Sequence, residues 1–133
     1  MTNHSENAKT ATCDNNVLAN RLFEFRGVNK SNNEIIYGNY YFDGKYHFID
    51  KCFEHRKEVY AKSVSQFTGL KDIEGKEIYE GDIILGYNNP HVVTFVDGAF
   101  YLTYKNSSVR LSRTCGALKI IGNIYENPEL CPI

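Results

Sequence analysis

Apolar and polar residues alternate through most of the chain beyond its first twenty positions, and the period is that of a strand. Leu22, Glu24 and Arg26 interleave with Phe23 and Phe25, which places both rings on one face of an extended segment. Asn29 to Asn33 reads as a polar turn. The run Ile35–Phe42 leads to Asp43-Gly44 and then to Lys45–Ile49. An Asp-Gly pair between aromatic β-formers predicts a hairpin with a type I′ turn, because both central positions need positive φ. Tyr46 and Phe48 then share one face, with Lys45 and His47 on the other. Further hairpins are expected across Lys71–Ile78, around Gly75, and across Thr94–Leu102, around Asp97-Gly98. Leu118–Tyr125 reads as a last strand, and Pro128 and Pro132 stop regular structure.

Helical periodicity is sparse. Lys51 to Val64 carries apolar residues at 52, 53, 59, 60, 61 and 64, which fit no 3.6-residue repeat. Ser63-Val64-Ser65-Gln66-Phe67 has a capping-box pattern and predicts one helical turn ending near Gly69, with Val64 and Phe67 laid on the sheet. Residues 1–20 read as a polar tail in which Asp14 caps at most one turn through Val17 and Leu18. Residues 21–133 then form one mainly β domain, an antiparallel meander whose irregular spacing excludes a solenoid.

Composition adds detail to this picture. A chain of 133 residues fits one domain, and 10 Tyr with 8 Phe and no Trp imply a core built largely from phenyl and phenol rings. A formal charge of -1 lacks the basic surplus of a duplex-coating protein. No stretch approaches ~20 consecutive apolar residues, so no membrane-spanning helix is expected. Cys13, Cys52, Cys115 and Cys131 are scattered without C-x-x-C spacing, and Met1–Ala11 lacks a signal-like apolar run. The expectation is a cytoplasmic protein with reduced thiols.

Candidate chemistry is thin. Cys52-x-x-His55, with His47 nearby, resembles half a metal site, but a structural zinc needs about four ligands and no matching pair exists elsewhere. Neither a metal nor a cofactor is expected. Cys115, in Arg113-Thr114-Cys115-Gly116, has only a distant His91 as a base and reads as a loop thiol. Asp72, Glu74, Glu77, Glu80 and Asp82 crowd one segment and read as solvated turn charges rather than acid–base pairs. Nucleotide, metalloprotease and hydrolase signatures are absent from the sequence, so no enzyme is expected.

Between Asp97 and Glu126 no acidic residue occurs, while Lys105, Arg110, Arg113 and Lys119 do, with Tyr101 and Tyr104 just before or beside them. One reading is a strip that holds single-stranded nucleic acid by phosphate contact and stacking. The preferred one is charge complementarity with the acidic 72–82 segment, within the chain or across an interface.

Four blocks of the sequence resemble the YopX family of phage and prophage proteins. They are Phe23–Arg26 with Glu34–Gly38, Val64–Asp72 running on through Gly75–Ile83, Val93–Phe100, and Ile121–Leu130. The motif positions are Gln66, Phe67, Gly69, Gly75, Tyr79, Gly81, Asp82, Asp97, Gly98, Gly122, Asn123, Tyr125 and Pro128. The resemblance implies an SH3-like small barrel with additional hairpins and one or two helical turns, self-association, and a phage or prophage origin. It brings no catalytic residues. Physically the blocks read as turns and strand entries: Gly81 at an unusual backbone angle, Asp82 bonding a nearby amide, Asn123 and Asn127 tying down the last turn. The functional expectation is a non-enzymatic accessory protein that acts by protein–protein contact as a homo-oligomer, with a host or phage protein as a further partner.

Overall fold

In a computed structural model the chain is described at residues 22–51, 55–113 and 117–132. The tail, Cys13, Cys52 and Cys115 therefore lie outside the described residues, as does the short turn expected after Asp14.

Strand periodicity dominates, as the alternation predicts. Among the described residues eleven strands run in chain order: β1 (Phe25–Val28), β2 (Ile35–Phe42), β3 (His47–Asp50), β4 (Lys57–Val59), β5 (Ser65–Lys71), β6 (Glu77–Tyr79), β7 (Asp82–Gly86), β8 (Asn89–Val96), β9 (Ala99–Tyr104), β10 (Ser107–Arg110) and β11 (Lys119–Asn123). They pair antiparallel into a six-stranded sheet, β4-β3-β2-β1-β5-β6, and a five-stranded sheet, β10-β9-β8-β7-β11. The fold is mainly β. Among the described residues the ladders of named strands close no ring, so the expected small barrel is not traced by them. At the end of β4, Val59 is bridged to Asn29 just beyond β1, with the Lys30 N–H donating to Glu58 O and the Tyr60 N–H to Val28 O.

The expected hairpins form, with differences in their turns. Asp97 and Gly98 both have positive φ (50° and 81°), which fits the type I′ turn between β8 and β9. The β2–β3 turn is longer than a type I′ turn. Of its central pair only Gly44 has positive φ, at 100°. Asp43 Oδ1 instead accepts the backbone N–H groups of Lys45 and Tyr46 at 2.9 and 2.7 Å, so Tyr46 belongs to the turn and β3 starts at His47. The capping-box helix at Ser63–Phe67 does not form. A 3-10 turn ends at Ser63, whose hydroxyl accepts the Val28 N–H at 2.8 Å, and Ser65 onward is strand β5. Pairing with β1 outweighs a local helix signal only one turn long.

Apolar burial joins the sheets. Ile84, Val93, Leu102, Leu111 and Leu118 form a core with Ile78 of β6, a strand of the other sheet. Burying each such side chain contributes about 1.5–3 kcal/mol. Backbone bonds reinforce the junction: the Gly81 N–H donates to Val93 O at 2.9 Å, and the Ile73 N–H to Leu118 O at 2.8 Å. In the first sheet Ile49 and Val59 are buried, and a Cβ on Gly27 would stand 3.0 Å from the Val59 side chain.

Candidate functional site

The distinctive motif block builds the seam between the sheets. Tyr79 ends β6 and Asp82 begins β7, with Gly81 between them at φ 89°. Asp82 Oδ2 accepts the Tyr79 N–H at 2.8 Å, the backbone bond expected of it. Its other oxygen meets Arg26 of β1 at 2.8 Å, both side chains being buried, and the Arg26 guanidinium lies 4.9 Å from the Tyr79 ring centre. Burial pushes the Asp82 carboxyl above its ordinary value, against the pull of Arg26 and the Tyr79 amide. The Tyr79 hydroxyl donates to Glu24 at 2.8 Å and lies 3.4 Å from Glu77. A cleft of about 460 Å³ opens over these groups, bounded by Tyr37, Asn123 and Gly122.

Of the carboxylates read as solvated turn charges, Glu74 is exposed as expected, with its side chain 49% accessible, and the others are not. Asp72 and Asp82 are 7% and 2% exposed, and Glu77 and Glu80 are half-buried. Asp72 Oδ1 accepts the N–H groups of Glu74 and Lys76, and Oδ2 that of Ile120. Turn closure takes up Asp72, and the junction of the sheets takes up Asp82.

The other motif residues sit where the chain turns or locks. Phe67 pairs with Tyr79, and Gln66 O accepts the Glu80 N–H. Gly69 and Gly75 have φ of 90° and 84° at a bulge and a turn. Asn123 Oδ1 accepts the N–H groups of Tyr125 and Glu126, while Asn127 Oδ1 accepts that of Asn123. A Cβ on Gly122 would lie 2.5 Å from Asn127 Oδ1. The Tyr125 hydroxyl lies 3.1 Å from Ser65 Oγ, and Pro128 opens a closing 3-10 turn.

The basic strip is divided among several neighbours. Lys119 Nζ stands 3.5 Å from Glu74, within the acidic segment, as charge complementarity predicts for this one residue. Tyr104 packs on His91, and Lys105 caps its ring at 5.4 Å from the β9–β10 turn. Arg110 faces Tyr101 across the β9–β10 ladder, and Arg113 lies beyond β10. Arg110 and Arg113 border two cavities, of about 360 and 470 Å³, that share Leu70 of β5. His47 Nδ1 is 2.6 Å from the Tyr40 hydroxyl, and no cluster fit for a metal occurs among the described residues.

A further surface escapes the strand pattern. On the outer face of β2–β3–β4, Tyr41 pairs with Phe48, and the Arg56 guanidinium lies 4.0 Å from the Tyr41 ring centre. Glu58, opposite Phe48, holds Lys30 at 2.6 Å, and Lys30 in turn sits 5.9 and 5.7 Å from the rings of Tyr46 and Tyr60. Hydrogen bonding to Glu58 holds the Lys30 ammonium above its ordinary pKa. Tyr41, Tyr46 and Tyr60 remain 43%, 42% and 45% exposed. The sequence clue was the aromatic content, which exceeds what this core uses.

No helix among the described residues is long and apolar enough to cross a membrane. No curated protein matches the sequence closely enough to count as a relative. Among solved structures, the crystal structure of protein EF1440 from Enterococcus faecalis superimposes with a TM-score of 0.56 at 23% identity, over 84% of this chain and 99% of that one. That likeness concerns the fold. The family model of the YopX protein matches residues 24–131, the span that holds the motif block, the seam and both sheets, and the chain belongs to the YopX family.

Proposed function

We propose that this chain is a non-enzymatic accessory protein of phage or prophage type, acting by protein–protein contact in the cytoplasm of a bacterial host. It associates with copies of itself through the outer face of β2–β4. The observation that carries this reading is the set of exposed rings with cations stacked on them: Arg56 on Tyr41, and Lys30 between Tyr46 and Tyr60. Tyrosine and arginine are the residue types that dominate interface energetics. A face presenting both cations and ring faces is also complementary to itself, as a two-fold contact requires. The order of the five-stranded sheet, with the last strand beside the first, supports reading that sheet as an SH3-like unit left open between β10 and β11.

Size-exclusion chromatography with light scattering tests the reading. An assembly larger than the monomer is expected, which dissociates when Tyr41→Ala and Arg56→Ala are combined. A strict monomer at every concentration overturns the self-association.

A further inference from the structure

Away from the aromatic face, β5 and the end of β10 form the walls of a groove. Its two cavities, about 360 and 470 Å³, meet at Leu70. The floor is apolar, made by Leu70, Phe100 and Leu111, and the exposed Phe95 and Ile73 extend it outward. Lys71, Arg110 and Arg113 stand exposed at its rim. Among the described residues Asp72 is the one acid lining either cavity, and its carboxylate is consumed by three backbone N–H groups. Glu74 nearby is engaged by Lys119. Lys71 also stands opposite Glu77 in the β5–β6 ladder and draws on its charge. The groove presents apolar surface with cationic side chains at its rim.

One wall continues as an open sheet edge. Among the described residues β10 pairs with β9 alone, and all four of its residues are exposed. The Leu111 N–H donates to Phe100 O, and antiparallel ladders alternate bonded and non-bonded pairs. With the register Val109↔Leu102 and Ser107↔Tyr104, the main-chain groups of Ser108 and Arg110 then point away from β9. A strand edge beside a pocketed floor is how sheets take up extended peptides: main chain gives affinity, and alternate side chains enter the pockets.

We propose that this groove and the β10 edge bind an extended acidic peptide of a partner protein, with carboxylates alternating with apolar side chains. The apolar side chains enter over Leu70 and Phe100, and the carboxylates meet Lys71, Arg110 and Arg113. The surface and the occupant differ from those of self-association, so the two readings stand or fall separately.

The test is fluorescence anisotropy on the full chain, using a short fluorescein-labelled peptide of alternating glutamate and valine, its lysine–valine counterpart, and oligo-dT. The glutamate peptide is expected to bind, more weakly as salt rises, and the lysine peptide to fail. Arg110→Glu with Arg113→Glu is expected to weaken binding about tenfold or more. Ser108→Pro removes one outward N–H and is expected to weaken it without reversing its charge preference. Circular dichroism checks that each variant is folded. Absence of binding at low salt overturns the proposal, as does binding that survives both sets of substitutions. Oligo-dT binding that displaces the peptide through the same arginines overturns it in favour of nucleic acid. If Ser108→Pro abolishes self-association while peptide affinity is unchanged, the groove belongs to a second copy.

Discussion

Arg26 and Asp82 meet at 2.8 Å with both side chains 4% exposed, tying the second residue of β1 to the first of β7 across the seam between the sheets. The pair is supported on one side by the Tyr79 N–H and on the other by the Glu80 carbonyl, 3.3 Å from Arg26 Nη2. Arg26 Nε is buried without a hydrogen-bond partner among the described residues. Removing one member strands the other charge in apolar surroundings, which costs about 3–5 kcal/mol, whereas replacing both by apolar residues is often neutral. Asp82→Ala and Arg26→Met are therefore each expected to lower the urea midpoint sharply, and Arg26→Met with Asp82→Leu to recover part of it, the Tyr79 N–H being left unpaired. Single variants as stable as the parent would show that the pair does not hold the sheets.

Asp72 contributes in the opposite pH direction from a merely buried acid. Burial works to raise its pKa, but the backbone N–H groups of Ile120, Lys76 and Glu74 together outweigh burial and hold the carboxyl below the aspartate range. A depressed folded pKa means stability that is fully present above the unfolded value of about 4 and lost as pH falls through the lower folded one. Asp72→Asn is expected to cost about 1–3 kcal/mol at neutral pH, since it leaves backbone donors poorly matched. The deficit should shrink in acid. Urea titrations of both proteins across the acid range check this; a deficit independent of pH would contradict it.

Local chemistry was legible in the sequence wherever the cause was local. Asp97-Gly98 announces its own turn, and Asn123 and Asn127 bond the main chain a few residues away, as their side-chain chemistry predicts. The Tyr87-Asn88 turn between β7 and β8 was not legible, because both residues take positive φ (51° and 64°) without a glycine. Ser63 misled for a physical reason: its hydroxyl caps no helix but serves Val28, far earlier in the chain and adjacent only once β1 and β5 pair. Arg26–Asp82 lies in the same class, since charged residues read as solvent-facing until their partner is known. The aromatic face was half legible. Alternation puts Tyr46 and Phe48 on one face, yet Tyr46 belongs to the turn; nor does alternation say which side of a sheet meets water, and Arg56 over Tyr41 depends on β2–β3–β4 packing.

Gly81 combines two constraints that substitution can separate. Its φ of 89° is unfavourable for any side chain, and a Cβ there would stand 3.2 Å from the Tyr125 ring. Gly75 has a similar φ of 84°, but a Cβ added there would meet nothing within 4 Å. Gly75→Ala is expected to cost about 1–2 kcal/mol from backbone strain alone. Gly81→Ala is expected to cost more, because the ring held near Ser65 must also move. Thermal unfolding of the two variants makes the comparison, and equal losses would remove Tyr125 from the account.

Glu77 offers the clearest pH signature of the seam. Burial first, and the neighbouring Glu24 carboxyl next, push its pKa above the ordinary glutamate value, although the Tyr79 hydroxyl pulls the other way. The same surroundings hold the Tyr79 phenol well above its usual range, so it stays a donor at all relevant pH. A raised folded pKa means that the fold favours the protonated acid, and stability declines as pH rises through that value. Glutamine copies the neutral form and does not ionise. Glu77→Gln is therefore expected to be more stable than the parent at neutral pH, with the two converging below about pH 4, where glutamate is protonated in the unfolded chain as well. Urea midpoints measured from acid to neutral pH decide the matter. A variant less stable than the parent at neutral pH would mean that the ionised Glu77 is wanted, and that Tyr79 serves it rather than Glu24.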